Sequence, residues 1–206
     1  MTDGAAKVAV IGAGGHAKVV VATLRMAGIE VVAVNDDATA LRGRELGGVP
    51  VRGPVAAAEV STGALVIAVG DNRTRRRLAE ALGRAPGRRW ANAVHPAAIV
   101  DPSVAIGPGA VVFAGAVVQT DARLGAHAIV NTGATVDHDC RVGDFAHVAP
   151  GVHLGGEVEV GEGAFLGIGC AVVPGIKIGA WATVGAGAVV VGDVEPGATV
   201  KGVPAR

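Results

Sequence analysis

The sequence predicts an α/β class chain in two parts: a Rossmann-like βαβ unit, followed by a parallel β-helix of hexapeptide repeats. Three observations carry this expectation. An apolar run of strand length, KVAVI from Lys7 to Ile11, opens into Gly12-Ala13-Gly14-Gly15-His16. From Val94 to Val190 every sixth residue is aliphatic, 17 times in succession without an insertion. Aromatic residues make up 2 % of the chain while hydrophobic residues make up 50 % and glycines number 33, a composition suited to many similar layers of small side chains. A strict hexad of that length is the mark of a solenoid. The expected division is 1–85 for the α/β domain and 86–206 for the β-helix, with Ala85-Pro86-Gly87-Arg88-Arg89 as linker.

In the first part a helix over 17–27 follows the glycine turn, a second strand over 31–34 ends in Asn35-Asp36-Asp37, and a third over 65–69 runs into Gly70-Asp71-Asn72. A glycine turn at a helix N-terminus lets the backbone approach an anion and points free N–H groups at it. Gly12, Gly14 and Ala17 satisfy the dinucleotide pattern with Ala in its third place, and Asp36 and Asp37 stand about 20 residues on, where a ribose-binding acid belongs. Only one mononucleotide-binding half fits before the repeat begins, which favours a nucleotide-linked ligand over NAD. The plainer alternative is a glycine turn that only packs helix on strand. The basic helix over 73–84 reads as a solvated face, with Gly70 and its first arginines able to border the same pocket.

Eighteen basic and 18 acidic residues give no net charge, so neither nucleic acid nor a polybasic membrane contact is indicated. Glycines, prolines and charges break every apolar run short of the roughly 18 residues a spanning helix needs, so no membrane insertion is expected. Residues 1–6 lack the features of a signal peptide, which predicts a cytoplasmic protein. Cys140 and Cys170 fall where the repeat elsewhere places Ala or Val, as buried thiols of a reducing compartment would. No His or Cys spacing suits zinc, and no metal is expected.

In the repeat, the aliphatic first position of each hexad should point into a narrow core, the small fifth position should fit the corners, and the frequent glycine at the second should permit tight turns. Three hexads per coil give a triangular prism of between five and six coils. Chemistry concentrates in 136–148, VDHDCRVGDFAHV. His138 occupies a turn position, so its ring should project outward, and Asp137 and Asp139 flank it. A carboxylate accepting from one ring nitrogen fixes the tautomer and raises the basicity of the other. His147 lies half a coil further on, so the two rings should meet only across neighbouring chains. Asp144 reads as a plain turn residue, and His95, His127 and His153 as structural.

The hexads, the GAGGH turn, the His138-Asp139-Cys140 segment and the ending Gly202-Val203-Pro204-Ala205-Arg206 together resemble the PglD/NeuD-like bacterial acetyltransferases, which modify nucleotide-linked amino sugars or sialic acid. The likeness covers nearly the whole chain. It implies a left-handed β-helix, against the usual right-handed crossover preference, and a homotrimer with acetyl-CoA in the groove between neighbouring prisms. It implies that His138 is the general base and that Asp139, standing where some relatives have Glu, makes it more basic. It places acetyl-CoA on His147, Gly156, Ile168 and Ala186, and a nucleotide sugar on Gly14, Gly15, His16, Asp36, Asp37 and Gly70. Asn131, one hexad before the HDC segment, would orient the acceptor sugar or the acetyl oxygen, or serve as a turn residue.

The expected reaction is acetylation of the amine of a UDP- or GDP-linked 4-amino-deoxy sugar by direct attack on the thioester, which needs a base and a polarised carbonyl but no metal. O-acetylation of a sialic acid is the alternative on the same scaffold. A different class is a hexapeptide-repeat protein without acetyl transfer: an assembly scaffold, or a hydratase with metal on His127, His147 and His153.

Overall fold

The computed structural model describes residues 7–58, 64–85 and 87–206; the start of the chain and Pro86 of the expected linker lie outside them. The chain divides into two compact units, Met1–Pro96 and Ala97–Arg206.

In the first unit β1 (Lys7–Ile11), α1 (Gly15–Met26), β2 (Glu30–Asn35), β3 (Glu45–Leu46), β4 (Val49–Arg52), β5 (Ala64–Ile67) and α2 (Asn72–Gly83) follow in order. The sheet runs β3-β4-β2-β1-β5. Every pairing is parallel except that of β3 with β4. β1 lies between β2 and β5 with Val8 to Ile11 all buried, the unbroken apolar run that a central parallel strand requires. α1 starts two residues earlier than expected because Gly14 takes an extended conformation at the cap. Its Ala17, Val20, Val21 and Leu24 form one buried helical stripe, and Gly28 at φ +73° follows its end.

The β3–β4 hairpin escaped the sequence reading, since a two-residue strand and the proline of VPVR hide its alternation. Its turn, Gly47-Gly48, has both φ values positive, as a two-residue hairpin loop needs. The arginine helix also needs correction. Arg73, Arg77 and Arg84 are exposed, but Arg75 is buried with Asn72, Ala79 and Leu82, and those four positions follow the helical period. Asp71 caps α2 by accepting from the Thr74 N–H at 2.8 Å.

The second unit is a three-sided solenoid of two-residue strands in parallel sheets. Residues one coil apart pair in register: Thr135 with Val117 and His153, Arg141 with Arg123 and Glu159, His147 with Ile129 and Phe165. The first-position side chains fill the core; Val112, Val130, Val136, Val148, Leu166 and Val184 are all buried. Each such burial is worth roughly 1.5–3 kcal/mol. Cys140 and Cys170 sit in the same core as free thiols.

The glycines divide their labour differently from the expectation. The left-handed turn lies at the fourth position of every hexad from Gly109 to Gly187, including Asp121, His127, Asp139, Phe145, Glu157 and Trp181. The second-position glycines have no positive φ; they are glycine because the next coil presses on them. A Cβ on Gly161 would lie 2.5 Å from the Ala180 nitrogen, and one on Gly125 2.5 Å from the Asp144 nitrogen. The coil repeats every 18 residues until its end, where Lys177 bonds to Asp193 at a separation of only 16.

Candidate active site

His138 projects from the turn between Thr135–Val136 and Arg141–Val142, and its side chain is half exposed. Its Nδ1 lies 2.9 Å from Asp139 Oδ2, and its backbone N–H donates to Asp137 Oδ1 at 2.8 Å. Neighbouring side chains on an extended strand point to opposite faces. The left-handed conformation of Asp139, φ +58°, is what lets its carboxylate meet the adjacent ring.

An ionised carboxylate only accepts, so Nδ1 carries the proton of that bond and the neutral ring keeps its lone pair on Nε2. The pKa of His138 is raised, first by the hydrogen bond to Asp139 and then by the charges of Asp137, Asp139 and Glu157, while desolvation opposes them. The ring lies against Gly156 one coil on, where a Cβ would come within 2.5 Å of its Cε1 and Nε2. The family resemblance implies that Gly156 contacts the coenzyme; in the structure it is the floor on which the histidine rests.

A second group occupies another part of the prism. Asn131 Oδ1 accepts from the Thr132 N–H at 2.8 Å, which assigns its amide nitrogen as the group 3.0 Å from His147 Nε2. His147 is buried, with Phe165 edge-on at 5.4 Å between ring centroids. Ile168 and Ala186 lie in successive coils at the corner that Asn131 enters, and the Gly187 N–H donates to the Ile168 carbonyl at 2.8 Å. Thus Asn131 meets His147, with Ile168 and Ala186 on later coils along the same edge, while His138, Asp139 and Gly156 form a separate cluster on the same chain.

The remaining histidines are placed apart. His127 stacks on Phe145 at 5.2 Å and 8° between planes, and His153 Nδ1 lies 2.9 Å from Thr135 Oγ1. His127, His147 and His153 therefore belong to three different environments, and among the described residues no group of three or more His, Cys, Asp or Glu is arranged around a metal position. Asp144 does serve a turn, accepting from the Ala126 N–H at 2.8 Å.

In the α/β unit a cavity of about 420 Å³ opens at the C-terminal ends of β1, β2 and β5, lined by Gly12, Asp36, Asp37, Val69, Thr74 and Arg77 among others. This is where open parallel sheets take ligands. Asp36 accepts from the Ala13 N–H at 2.7 Å and from Ala38 N–H at 2.8 Å, and Asp37 from the Val55 N–H at 2.8 Å. Both acids thus hold the cavity's loops as well as lining it, a duty the sequence does not announce.

Gly12 is forced: φ is +101° and a Cβ would lie 2.9 Å from Val69 Cγ2. Gly14 and Gly15 have open space at the Cβ position, room for a ligand to approach the backbone. His16 is held to a pKa of about 4 by burial and then by the charge of Arg75. Gly70 gives its carbonyl to the Arg75 guanidinium at 3.1 Å. Of the arginines able to border this pocket, Arg77 lines it and Arg75 is buried behind it, while Thr74, which also lines it, carries no signal in the sequence.

Residues 7–82 match the family described as the PglD N-terminal domain. Among curated proteins none matches the chain. Among solved structures, a histidine-to-alanine variant of the GDP-perosamine N-acetyltransferase of Caulobacter crescentus, in complex with CoA and GDP-perosamine, is 45 % identical over 97 % of this chain and 95 % of that one, with a TM-score of 0.91. The acetyltransferase domain of PglB from Neisseria gonorrhoeae, in complex with acetyl coenzyme A, is 42 % identical over 98 % and 99 %, at 0.91. WeeI from Acinetobacter baumannii is 28 % identical over 97 % and 98 %, at 0.87. With an α/β unit, a left-handed β-helix and identities of that order along nearly its whole length, the chain belongs to the PglD/NeuD-like family of sugar acetyltransferases.

Proposed function

We propose that the protein transfers the acetyl group of acetyl-CoA to the amine of a nucleotide-linked 4-amino-deoxy sugar, with His138 as general base. The observation that carries this is the His138–Asp139 contact at 2.9 Å, which leaves Nε2 of an outward-facing ring as the basic atom. The amine nitrogen attacks the thioester carbonyl carbon as Nε2 takes its proton. The tetrahedral intermediate then expels the CoA sulfur, which receives that proton from the imidazolium. Asp139 stabilises the charged ring while the proton is held. The C. crescentus and N. gonorrhoeae relatives, crystallised with CoA and GDP-perosamine and with acetyl coenzyme A, support the choice of co-substrate and acceptor class.

In this reading the α/β unit holds the nucleotide through Gly14, Gly15, His16, Asp36, Asp37 and Gly70. The working form is a homotrimer, with the His138–Gly156 cluster of one copy facing the Asn131, His147, Ile168 and Ala186 corner of another across acetyl-CoA. That arrangement unites two clusters that a single prism keeps apart. Among the described residues no helix is long and apolar enough to cross a membrane, and we place the reaction in the cytoplasm.

The test is release of free CoA from acetyl-CoA in the presence of GDP-, UDP- and CMP-linked amino sugars and of free sialic acid, with mass measured in solution. Acetylation of a nucleotide amino sugar by a trimer, lowered about 100-fold or more in His138→Ala, is expected. Turnover on sialic acid alone, or none on any acceptor, would overturn the proposal.

A further inference from the structure

Arg123, Arg141, Glu159 and Lys177 form a column of charge on one face of the solenoid, paired in register on neighbouring parallel strands and all exposed. The column lines a groove of about 410 Å³, and the second-position glycines of the same coils share the lining without adding a side chain to it. The charges are not neutralised evenly. Glu159 has Arg141 on one side and Lys177 on the other, yet its Oε1 lies 3.6 Å from Lys177 Nζ. Among the described residues neither the Arg123 nor the Arg141 guanidinium has a hydrogen bond or ion pair.

Adjacent rungs of a sheet are about 4.8 Å apart, and like charges on them repel. A face that needed only to be soluble would alternate its signs, as this one does at Glu159 and Lys177. Two guanidiniums side by side suit a doubly charged anion instead, because each presents N–H groups in a plane that matches phosphoryl oxygens. Their place on the prism gives that anion a context. Arg141 follows His138 by three residues, on the strand that the turn bearing the base leads into, so the two Cα atoms are within about 10 Å of each other. Arg123 stands one coil earlier.

We propose that Arg123 and Arg141 bind the diphosphate of the nucleotide-linked amino sugar while its amine is at His138. The inference rests on the acceptor class proposed above. In a 4-amino sugar the amine and the phosphate-bearing carbon stand across one ring from each other, so the anion lies about a ring's width from the base. Acetyl-CoA is the other diphosphate of the reaction, but its whole pantetheine arm separates the thioester from the phosphates. The coenzyme positions proposed above, Ile168 and Ala186, also lie on later coils than His138, whereas Arg141 shares its coil and Arg123 precedes it. Both arguments give the arginines to the acceptor.

Steady-state kinetics on GDP- and UDP-linked 4-amino sugars at several salt concentrations test it, in the wild type and in the double variants Arg123→Gln/Arg141→Gln and Arg123→Lys/Arg141→Lys. The Gln pair should raise KM for the nucleotide sugar about tenfold or more and flatten its salt dependence, with KM for acetyl-CoA within about twofold and the pH profile of kcat unmoved. The Lys pair should recover part of the affinity and of the salt slope. Unchanged KM for the sugar in an active Gln pair, or a rise confined to acetyl-CoA, would overturn the role of the arginines while leaving acetyl transfer intact. Absence of turnover on any nucleotide sugar by the wild type would overturn both together. Should the double variant not fold, Arg141→Gln alone decides by the same comparison, since its side chain is exposed.

Discussion

The amide nitrogen of Asn131 sits 3.0 Å from Nε2 of His147, and the Thr132 N–H fixes which end of the amide that is. The consequence is a protonation state. A donor amide requires Nε2 to accept, so the neutral ring carries its hydrogen on Nδ1, and a proton on Nε2 would have to break the bond. His147 is thereby set up as an N–H donor and His138 as a proton acceptor, although both are histidines of one short segment.

Asn131→Asp should reverse that tautomer, because a carboxylate accepts where the amide donates. Ring nitrogen chemical shifts of His147 should show the proton moved to Nε2, with turnover down about 100- to 1,000-fold, the scale of one lost hydrogen-bond donor to the reacting oxygen. Unchanged shifts in a folded variant would refute the tautomer assignment.

His138→Ala should lower kcat by about 100-fold or more with the proposed trimer retained. The pH profile should carry the sign of the Asp139 contact. A base works only when neutral, so activity is lost as pH falls through the raised pKa of His138. Asp139→Asn removes the largest cause of that rise, so the acid limb should move to lower pH while the plateau drops. A limb that stays in place would show that another group titrates.

Two glycine replacements should separate crowding from backbone strain. Gly161→Ala drives a Cβ against the backbone of the next coil and should cost about 2–3 kcal/mol. Gly133→Ala meets nothing within 4 Å but must hold φ near +66° and should cost about 1 kcal/mol. Equal melting temperatures for the two variants would contradict the division of roles between second and fourth positions.

His16 should make stability depend on pH. Its folded pKa of about 4 lies below the unfolded value of 6.5, so the unfolded chain binds the proton first as pH falls. Its contribution is fully present above pH 6.5 and is lost progressively down to about pH 4, on the order of 3 kcal/mol in all. Denaturant titrations from pH 7 to 4.5 should show that loss, and His16→Gln should flatten it.

The solenoid was legible because its rule is one of spacing: 17 aliphatic residues at intervals of six leave little else to build. His138 and Asp139 were legible for the same reason, as charged residues in a fixed turn. Asn131 and His147 were each named, but their bond joins two successive coils, and sequence gives the stacking of positions without the orientation of an amide. Arg75 stayed hidden among five arginines since only helical phase, read against Ala79 and Leu82, separates it from the exposed ones. The tasks of Asp36 and Asp37 in holding loops were invisible because their partners are backbone N–H groups, which every residue type but proline provides.

Coils that stack in register every 18 residues turn the prism into a ruler, with about 4.8 Å to each division. Groups on it are spaced by counting rather than by individual contacts. Insertions of a whole coil beyond Ala186 would lengthen the ruler and leave the marks that matter where they are, whereas one inserted between His147 and Ile168 would move Ile168 and Ala186 by a full division from His147 without disturbing the core. Under the proposed function, the reach of acetyl-CoA is thus written into the chain as a number of turns.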